Sequence, residues 1–323
     1  MGDASRVGEV RRHASQAGVS LGWNETDCGR LAIITTELAT NLMRHAVGGQ
    51  MWIAVRDAFE DVEIIAVDRG PGIASIAESM QDGTSSAAGS AGTGLGAISR
   101  MADDFDVAST QEGTICVARV RREGAACHDL SRALGAVCLA VVPEMVSGDA
   151  WAVVQRGTDT SAIVADGLGH GPLAAQAAQA AIDTFVESPF QALVPLLQAA
   201  HMALQGTRGA AVLAMQLQAS ALQYCGAGNV AGRLFSGVFD QTLIGQHGTV
   251  GVQLGKPVAT SQDRPAYAVV ALHTDGIASR WKTQDHTALL QRDPVLLAAS
   301  ILWNNTRGRD DATVVILKPQ ELQ

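Results

Sequence analysis

A chain of 323 residues is long enough for about two domains, and 47% hydrophobic against 17% charged residues is an ordinary globular balance. A net charge of −9, with no lysine cluster or basic tail, excludes nucleic acid and anionic membrane as expected partners. Five cysteines form no CxxC pair, and no stretch approaches the ~20 apolar residues of a membrane span, which predicts a cytoplasmic protein without disulfides.

Residues 4–17 carry helical spacing at Val7, Val10, Ala14 and Ala17, with Gly18 as a stop signal. Asn24 is placed to cap a second helix over 25–47, where Leu31, Ile34, Leu38 and Leu42 recur at intervals of three and four. Glu37, Asn41 and His45 share one face of that helix, which taken alone is equally a solvent face. Residues 51–55 and 62–67 read as antiparallel strands joined near Phe59-Glu60-Asp61. The second strand runs into Asp68-Arg69-Gly70-Pro71-Gly72. A low-complexity loop over 81–91 leads to Gly92-Thr93-Gly94-Leu95-Gly96, which opens a helix to about Met101. Glycines at a helix start let backbone amides approach a phosphate. A dinucleotide fingerprint needs a strand directly before such glycines, and here a loop precedes them. Strands over 106–110 and 114–121 complete the first half.

The ordered set ELATNLMRH from Glu37, DRGPGI from Asp68, GTGLG from Gly92 and EGT from Glu112 resembles the GHKL ATP-binding fold, and more narrowly the RsbT and RsbW class of serine kinases. The resemblance implies that Asn41 ligates Mg²⁺ on the ATP phosphates and that Glu37 is the general base toward a protein hydroxyl. It implies that Asp68 accepts from the adenine amino group with Thr114 nearby. Gly70, Gly72, Gly92, Thr93, Gly94, Leu95 and Gly96 shape and close the nucleotide pocket. Phosphoryl transfer needs these parts: a bridging cation, positioned amides and a carboxylate near the attacking oxygen. His45 and Arg100 read rather as a helix-end residue and a surface cation. In the family a short strand usually precedes the first helix, whereas here the pattern begins almost at the helix.

Residues 124–132 read as a linker between a first domain at 1–123 and a second at 133–323. In the second, strands lead to helices over 171–186 and 190–204, separated by Ser188-Pro189. Further strands follow over 211–217 and 221–225, near Arg233, and over 267–272 and 312–317. The apolar run at 162–165 ends in Asp166-Gly167-Leu168-Gly169-His170-Gly171. Asp149, Asp275 and the pair Asp310-Asp311 also abut β-rich runs. One Asp-Gly is usually a turn. Four acidic points at strand ends suit hard cations, which take carboxylate and carbonyl oxygen.

The motifs GDAW from Gly148, DGLGHG from Asp166, RGAAV from Arg208, GAGNV from Gly226, TDGI from Thr274 and RDDATVV from Arg309 resemble SpoIIE-type metal-dependent protein phosphatases of the RsbX subgroup. The resemblance implies two Mn²⁺ or Mg²⁺ ions held by Asp149, Asp166, Gly167, Asp275 and Asp310, with Asp311 second to Asp310. It also implies that Asp166 is central to hydrolysis of phosphoserine or phosphothreonine. Many relatives carry another acidic residue where this chain has Ala152, or Val153 by one shift, an absence shared with the RsbX subgroup. His170 is either a general acid or a turn residue; Arg208 and Asn229 read as structural.

The expected fold is α+β in two domains, a GHKL α/β sandwich followed by an α-β-β-α phosphatase sandwich. The expected function is a kinase–phosphatase acting on STAS-domain proteins in partner switching, with an anti-sigma or sigma factor as a further partner and a homodimer as assembly. The rival reading makes the first domain a nucleotide-dependent or anti-sigma binding module.

Overall fold

The computed structural model describes residues 4–81 and 94–319. The chain divides after Ser131 into two compact units.

In the first unit, α1 (Ala4–Ser20) and α2 (Glu25–His45) precede β1 (Gln50–Arg56) and β2 (Asp61–Val67). The short α3 (Ile76–Ser79) and then α4 (Gly94–Met101) lead to β3 (Asp104–Thr110) and β4 (Gly113–Arg121). Asn24 caps α2, its side chain accepting from the Asp27 amide at 2.8 Å. Leu31, Ile34, Leu38 and Leu42 are all buried, so the three-and-four spacing becomes the face that packs on the sheet. That antiparallel sheet has the order β1-β2-β4-β3. Val62, Ile64 and Ala66 of β2 join Cys116, Ala118 and Val120 of β4 in one core with the helices.

Gly18 does not stop α1, which continues to Ser20. A Cβ at Gly18 would lie 3.0 Å from Cys28 Sγ and 3.1 Å from the Trp23 ring, so the glycine serves close packing of the two helices. The low-complexity loop falls mostly outside the described residues.

A short helix, α5 (Asp129–Ala133), spans the division between the units. The second unit then runs β5 (Leu134–Leu139), β6 (Asp149–Arg156), β7 (Asp159–Gly167), α6 (Pro172–Glu187) and α7 (Leu193–Ala203). Next come β8 (Ala210–Leu217), β9 (Ala221–Ala227), β10 (Ala231–Phe235), β11 (Asp240–Ile244) and the small pair β12 (Gly248–Thr249) and β13 (Gln253–Leu254). The unit closes with β14 (Thr260–Asp263), β15 (Val269–His273), α8 (Pro294–Asn305) and β16 (Ala312–Leu317).

Two five-stranded sheets form its centre, ordered β14-β9-β8-β7-β6 and β11-β10-β15-β16-β5. Helices α6 and α7 lie on the first sheet, where Phe185, Leu196 and Leu197 meet Ile163, Val212 and Ala214. Helix α8 packs on β5 and β16 of the second. The result is an α-β-β-α sandwich. Helix α8 has no counterpart in the sequence reading: residues 294–302 are buried without interruption, so its pattern lacks the 3.6-residue alternation that marks an amphipathic helix.

Candidate functional site

In the first unit, Glu37 and Asn41 lie one turn apart on α2, both half-buried. They face the start of α4: a Cβ at Gly94 would sit 3.5 Å from Asn41 Oδ1 and 3.8 Å from Glu37 Oε2. The segment after β2 closes the same end of the sheet. Asp68 Oδ1 accepts from the Gly70 amide at 2.6 Å, and the Asp68 amide donates to the Thr114 carbonyl at 3.0 Å. A Cβ at Gly70 would approach the His45 carbonyl to 2.9 Å, so this turn rests on the end of α2. Burial lifts the Asp68 carboxyl above its ordinary range, while hydrogen bonds from the Gly70 and Thr114 backbone pull it down. Gly72 has φ of +76°, and a side chain there would overlap the Thr110 carbonyl.

The structure therefore gathers Glu37, Asn41 and Gly94 on one side and Asp68, Gly70, Gly72 and Thr114 on the other. Leu95 turns into the core, leaving only its backbone to a nucleotide, and Gly96 packs against the Met80 carbonyl. Gly92 and Thr93 lie outside the described residues. His45 is exposed at the end of α2. The sequence reading missed Ser109, whose hydroxyl bonds the Thr114 hydroxyl at 2.8 Å and accepts from the Ile73 amide at 2.8 Å.

In the second unit, Asp149 opens β6 directly opposite Asp166 near the end of β7. The other sheet brings Asp275 just past β15 and Asp310-Asp311 just before β16. Thr274 joins the two sheets: its hydroxyl donates to Asp149 Oδ2 at 2.7 Å and accepts from the Thr313 amide at 3.0 Å. The two neighbouring aspartates differ in their hydrogen bonding. Asp311 is buried and accepts from the Val141 amide at 2.7 Å and the Gly148 amide at 2.6 Å. Both its oxygens are thus engaged, whereas Asp310 is half-buried and, among the described residues, accepts from the Asp311 amide alone, at 3.0 Å. Asp275 is oriented by Asn229, whose Nδ2 donates to it at 2.5 Å.

This concentration of carboxylates is electrostatically costly. Burial, aided by the charges of Asp311 and Asp310, holds Asp149 well above the usual carboxylate range. Asp166 is held up by burial and then by Asp149, Asp275, Asp310 and Asp311. Among the described residues no three His, Cys, Asp or Glu side chains already close around one point. The donor set nevertheless fits a hard divalent cation: it is all oxygen, mutually repelling, and Asp149 Oδ1 is buried with no group among the described residues in hydrogen-bonding geometry to it. Asp149, Asp166, Asp275 and Asp310, with the Gly167 carbonyl, are the groups that would hold it.

Two further residues meet the glycine loop that follows Asp166. Arg208 reaches the glycine loop, its Nη1 lying 3.0 Å from where a Gly169 Cβ would be. Glu144, on the β5–β6 loop, bonds His170 Nδ1 at 2.8 Å. No local pattern marks Glu144, because its partner is 26 residues away.

Residues 2–120 match the family model described as a histidine kinase-like ATPase domain. The serine/threonine-protein kinase RsbT of Bacillus subtilis (strain 168) is 39% identical over 108 residues, covering 32% of this chain and 80% of RsbT. The chain belongs to the RsbT family. Beyond the RsbT-type domain, a solved chain from the bacterial stressosome, described as a modular system adapted to control secondary messenger signalling, matches at 26% identity. Its TM-score is 0.55, with 58% of this chain and 98% of that chain covered. The crystal structure of RsbX in complex with magnesium matches at 21% identity and a TM-score of 0.51, covering 57% and 92%. The chain thus joins an RsbT-type ATPase domain to a domain with the fold of the metal-dependent phosphatases. No helix among its described residues is long and apolar enough to cross a membrane.

Proposed function

We propose that the RsbT-type domain transfers phosphate from ATP to serine or threonine of a STAS-domain partner, and that the second domain removes such phosphates. The observation that carries the first half is the stacking of Glu37 over Asn41 opposite Gly94. That arrangement offers a base, a ligand for Mg²⁺ and an approachable helix start within one small region. In this reading Asp68 accepts from adenine, which its bonds to the Gly70 amide and the Thr114 carbonyl support.

In the second domain, Asp149 and Asp166 across β6 and β7, with Asp275 and Asp310 from the facing sheet, supply the oxygen cage. A bound Mn²⁺ or Mg²⁺ pair lowers the pKa of water and offsets phosphoryl charge, the chemistry that phosphoester hydrolysis requires. Thr274 and Asp311 keep the cage in shape by tying it to both sheets. The second domain's free cysteines serve no nucleophilic role in this reading; burial pushes the thiols of Cys138 and Cys225 above their ordinary range. The match to a stressosome protein supports a partner-switching setting for both activities.

The test uses radiolabelled ATP, Mg²⁺ or Mn²⁺ and a candidate STAS protein, comparing wild type with Asp166→Ala and Asn41→Ala. Label should accumulate on the partner with Asp166→Ala and vanish with Asn41→Ala. If no variant transfers label while wild type strips a pre-phosphorylated partner, the first domain is a nucleotide-dependent binding module. Adding a sigma factor to the same mixtures tests the anti-sigma alternative, and sedimentation tests the homodimer.

A further inference from the structure

The contact between Glu144 and His170 has a defined polarity. An ionised carboxylate only accepts, so the hydrogen between Glu144 Oε1 and His170 Nδ1 belongs to the ring. Nε2 is then the nitrogen left to exchange protons. The glutamate is held on both sides: the Val141 and Gly148 amides flanking it both donate to Asp311, and its own amide donates to the Val141 carbonyl at 2.7 Å. Its carboxylate lies against the glycine loop, where a Cβ at Gly171 would come within 2.9 Å of Oε2. Gly171 has φ of +75°, so the loop backbone both permits and leaves room for this contact. The loop that carries His170 meets the carboxylates directly: a Cβ at Gly148 would lie 3.3 Å from the Gly169 carbonyl and 2.8 Å from Asp311 Oδ2. The His170 side chain is 59% exposed and that of Glu144 28%, and a pair so wet contributes little to stability. Orientation is what such a contact supplies.

We propose that Glu144 is a positioning residue that fixes His170 with hydrogen on Nδ1, so that Nε2 delivers a proton to the departing seryl oxygen. This rests on the phosphatase reading above. In the step, a water oxygen bonds to phosphorus and gives up one proton to solvent, and the bond from phosphorus to the seryl oxygen breaks. The seryl oxygen takes the Nε2 proton, and the imidazole regains a proton from solvent. The sum is hydrolysis of a phosphomonoester, with Nδ1–H unchanged throughout.

The test compares wild type, Glu144→Ala, Glu144→Gln, His170→Ala and the Glu144→Ala/His170→Ala double variant. Substrates are a phosphoserine peptide and p-nitrophenyl phosphate, whose leaving group needs no proton. Glu144→Ala should lower kcat on the peptide about 10- to 100-fold. That loss should exceed its loss on p-nitrophenyl phosphate about tenfold, as expected for a missing proton donor. Glu144→Gln, which retains an acceptor for Nδ1–H, should recover most of it, and the double variant should be no slower than His170→Ala. Equal losses on both substrates, or additive losses in the double variant, would overturn the proposal. Imidazole ¹⁵N shifts of His170 in metal-free protein give a readout independent of turnover. Nδ1 of the neutral ring should be protonated in wild type and in Glu144→Gln but largely not in Glu144→Ala; an unchanged tautomer in Glu144→Ala also overturns it. Wild type inactive on both substrates would sink the phosphatase reading, while the tautomer measurement still decides what Glu144 does.

Discussion

Adjacent aspartates with different hydrogen bonding make Asp310 and Asp311 the sharpest place to test the second domain. Replacing Asp311 with Ala leaves the Val141 and Gly148 amides without their acceptor in a buried setting. Hydrogen bonds to a charged group are worth roughly 1.5–3 kcal/mol each, so the pair contributes roughly 3–6 kcal/mol. For a domain of this size that loss lowers Tm by roughly 6–24 °C. Among the described residues Asp310 accepts from the neighbouring Asp311 amide alone and is half-buried, so Asp310→Ala should cost no more than about 1 kcal/mol. Its effect should fall on turnover, through lost cation binding. The assay pairs urea unfolding of each variant with hydrogen exchange at the Val141 and Gly148 amides and with Mn²⁺-dependent hydrolysis of p-nitrophenyl phosphate. Asp311→Ala should lose protection at those two amides, and Asp310→Ala should keep it. The reasoning fails if Asp311→Ala unfolds within about 1 kcal/mol of wild type, or if Asp310→Ala is equally destabilised.

Asp166 carries the pH prediction. Its folded pKa lies above the unfolded value, so in metal-free protein this group's contribution to stability is present at low pH and lost as pH rises through the folded pKa. Metal-free wild type should therefore gain stability from pH 8 to 6.5, Asp166→Asn should show a flatter profile, and Mn²⁺ should stabilise only wild type; calorimetry in EDTA decides. Gly276→Ala places a Cβ 1.9 Å from the Asp311 carbonyl and should destabilise the second domain by about 1–3 kcal/mol or more. Gly157→Ala, with φ of +59° and open space around it, should cost about 1 kcal/mol, and comparable losses at both sites would refute the overlap argument. Asn41→Ala should abolish the rise in Tm that Mg²⁺-ATP gives wild type while leaving p-nitrophenyl phosphate hydrolysis intact. Loss of hydrolysis would contradict the separate assignment of the two sites.

Much of this protein is written locally. Asn24 before a three-and-four apolar repeat sufficed for α2 and its buried face, because capping and amphipathic spacing act over neighbouring turns. The same spacing put Glu37 above Asn41, and Asp at strand ends followed by glycine marked Asp68, Asp166 and Asp275. What escaped depends on partners distant in the chain. Gly18 looked like a stop until Cys28 and Trp23 showed it to be a packing contact, and α8 left no periodic trace because it is buried along 294–302. Sequence alone put Asp310 ahead of Asp311 without resolving the pair; two amides some 160–170 positions away engage both oxygens of Asp311 and give the two neighbours different surroundings. Thr274 beneath Asp149 and Glu144 beside His170 were equally hidden. Local sequence determines which groups an element presents, whereas the hydrogen-bond partner that fixes each group's role is chosen only when the sheets close.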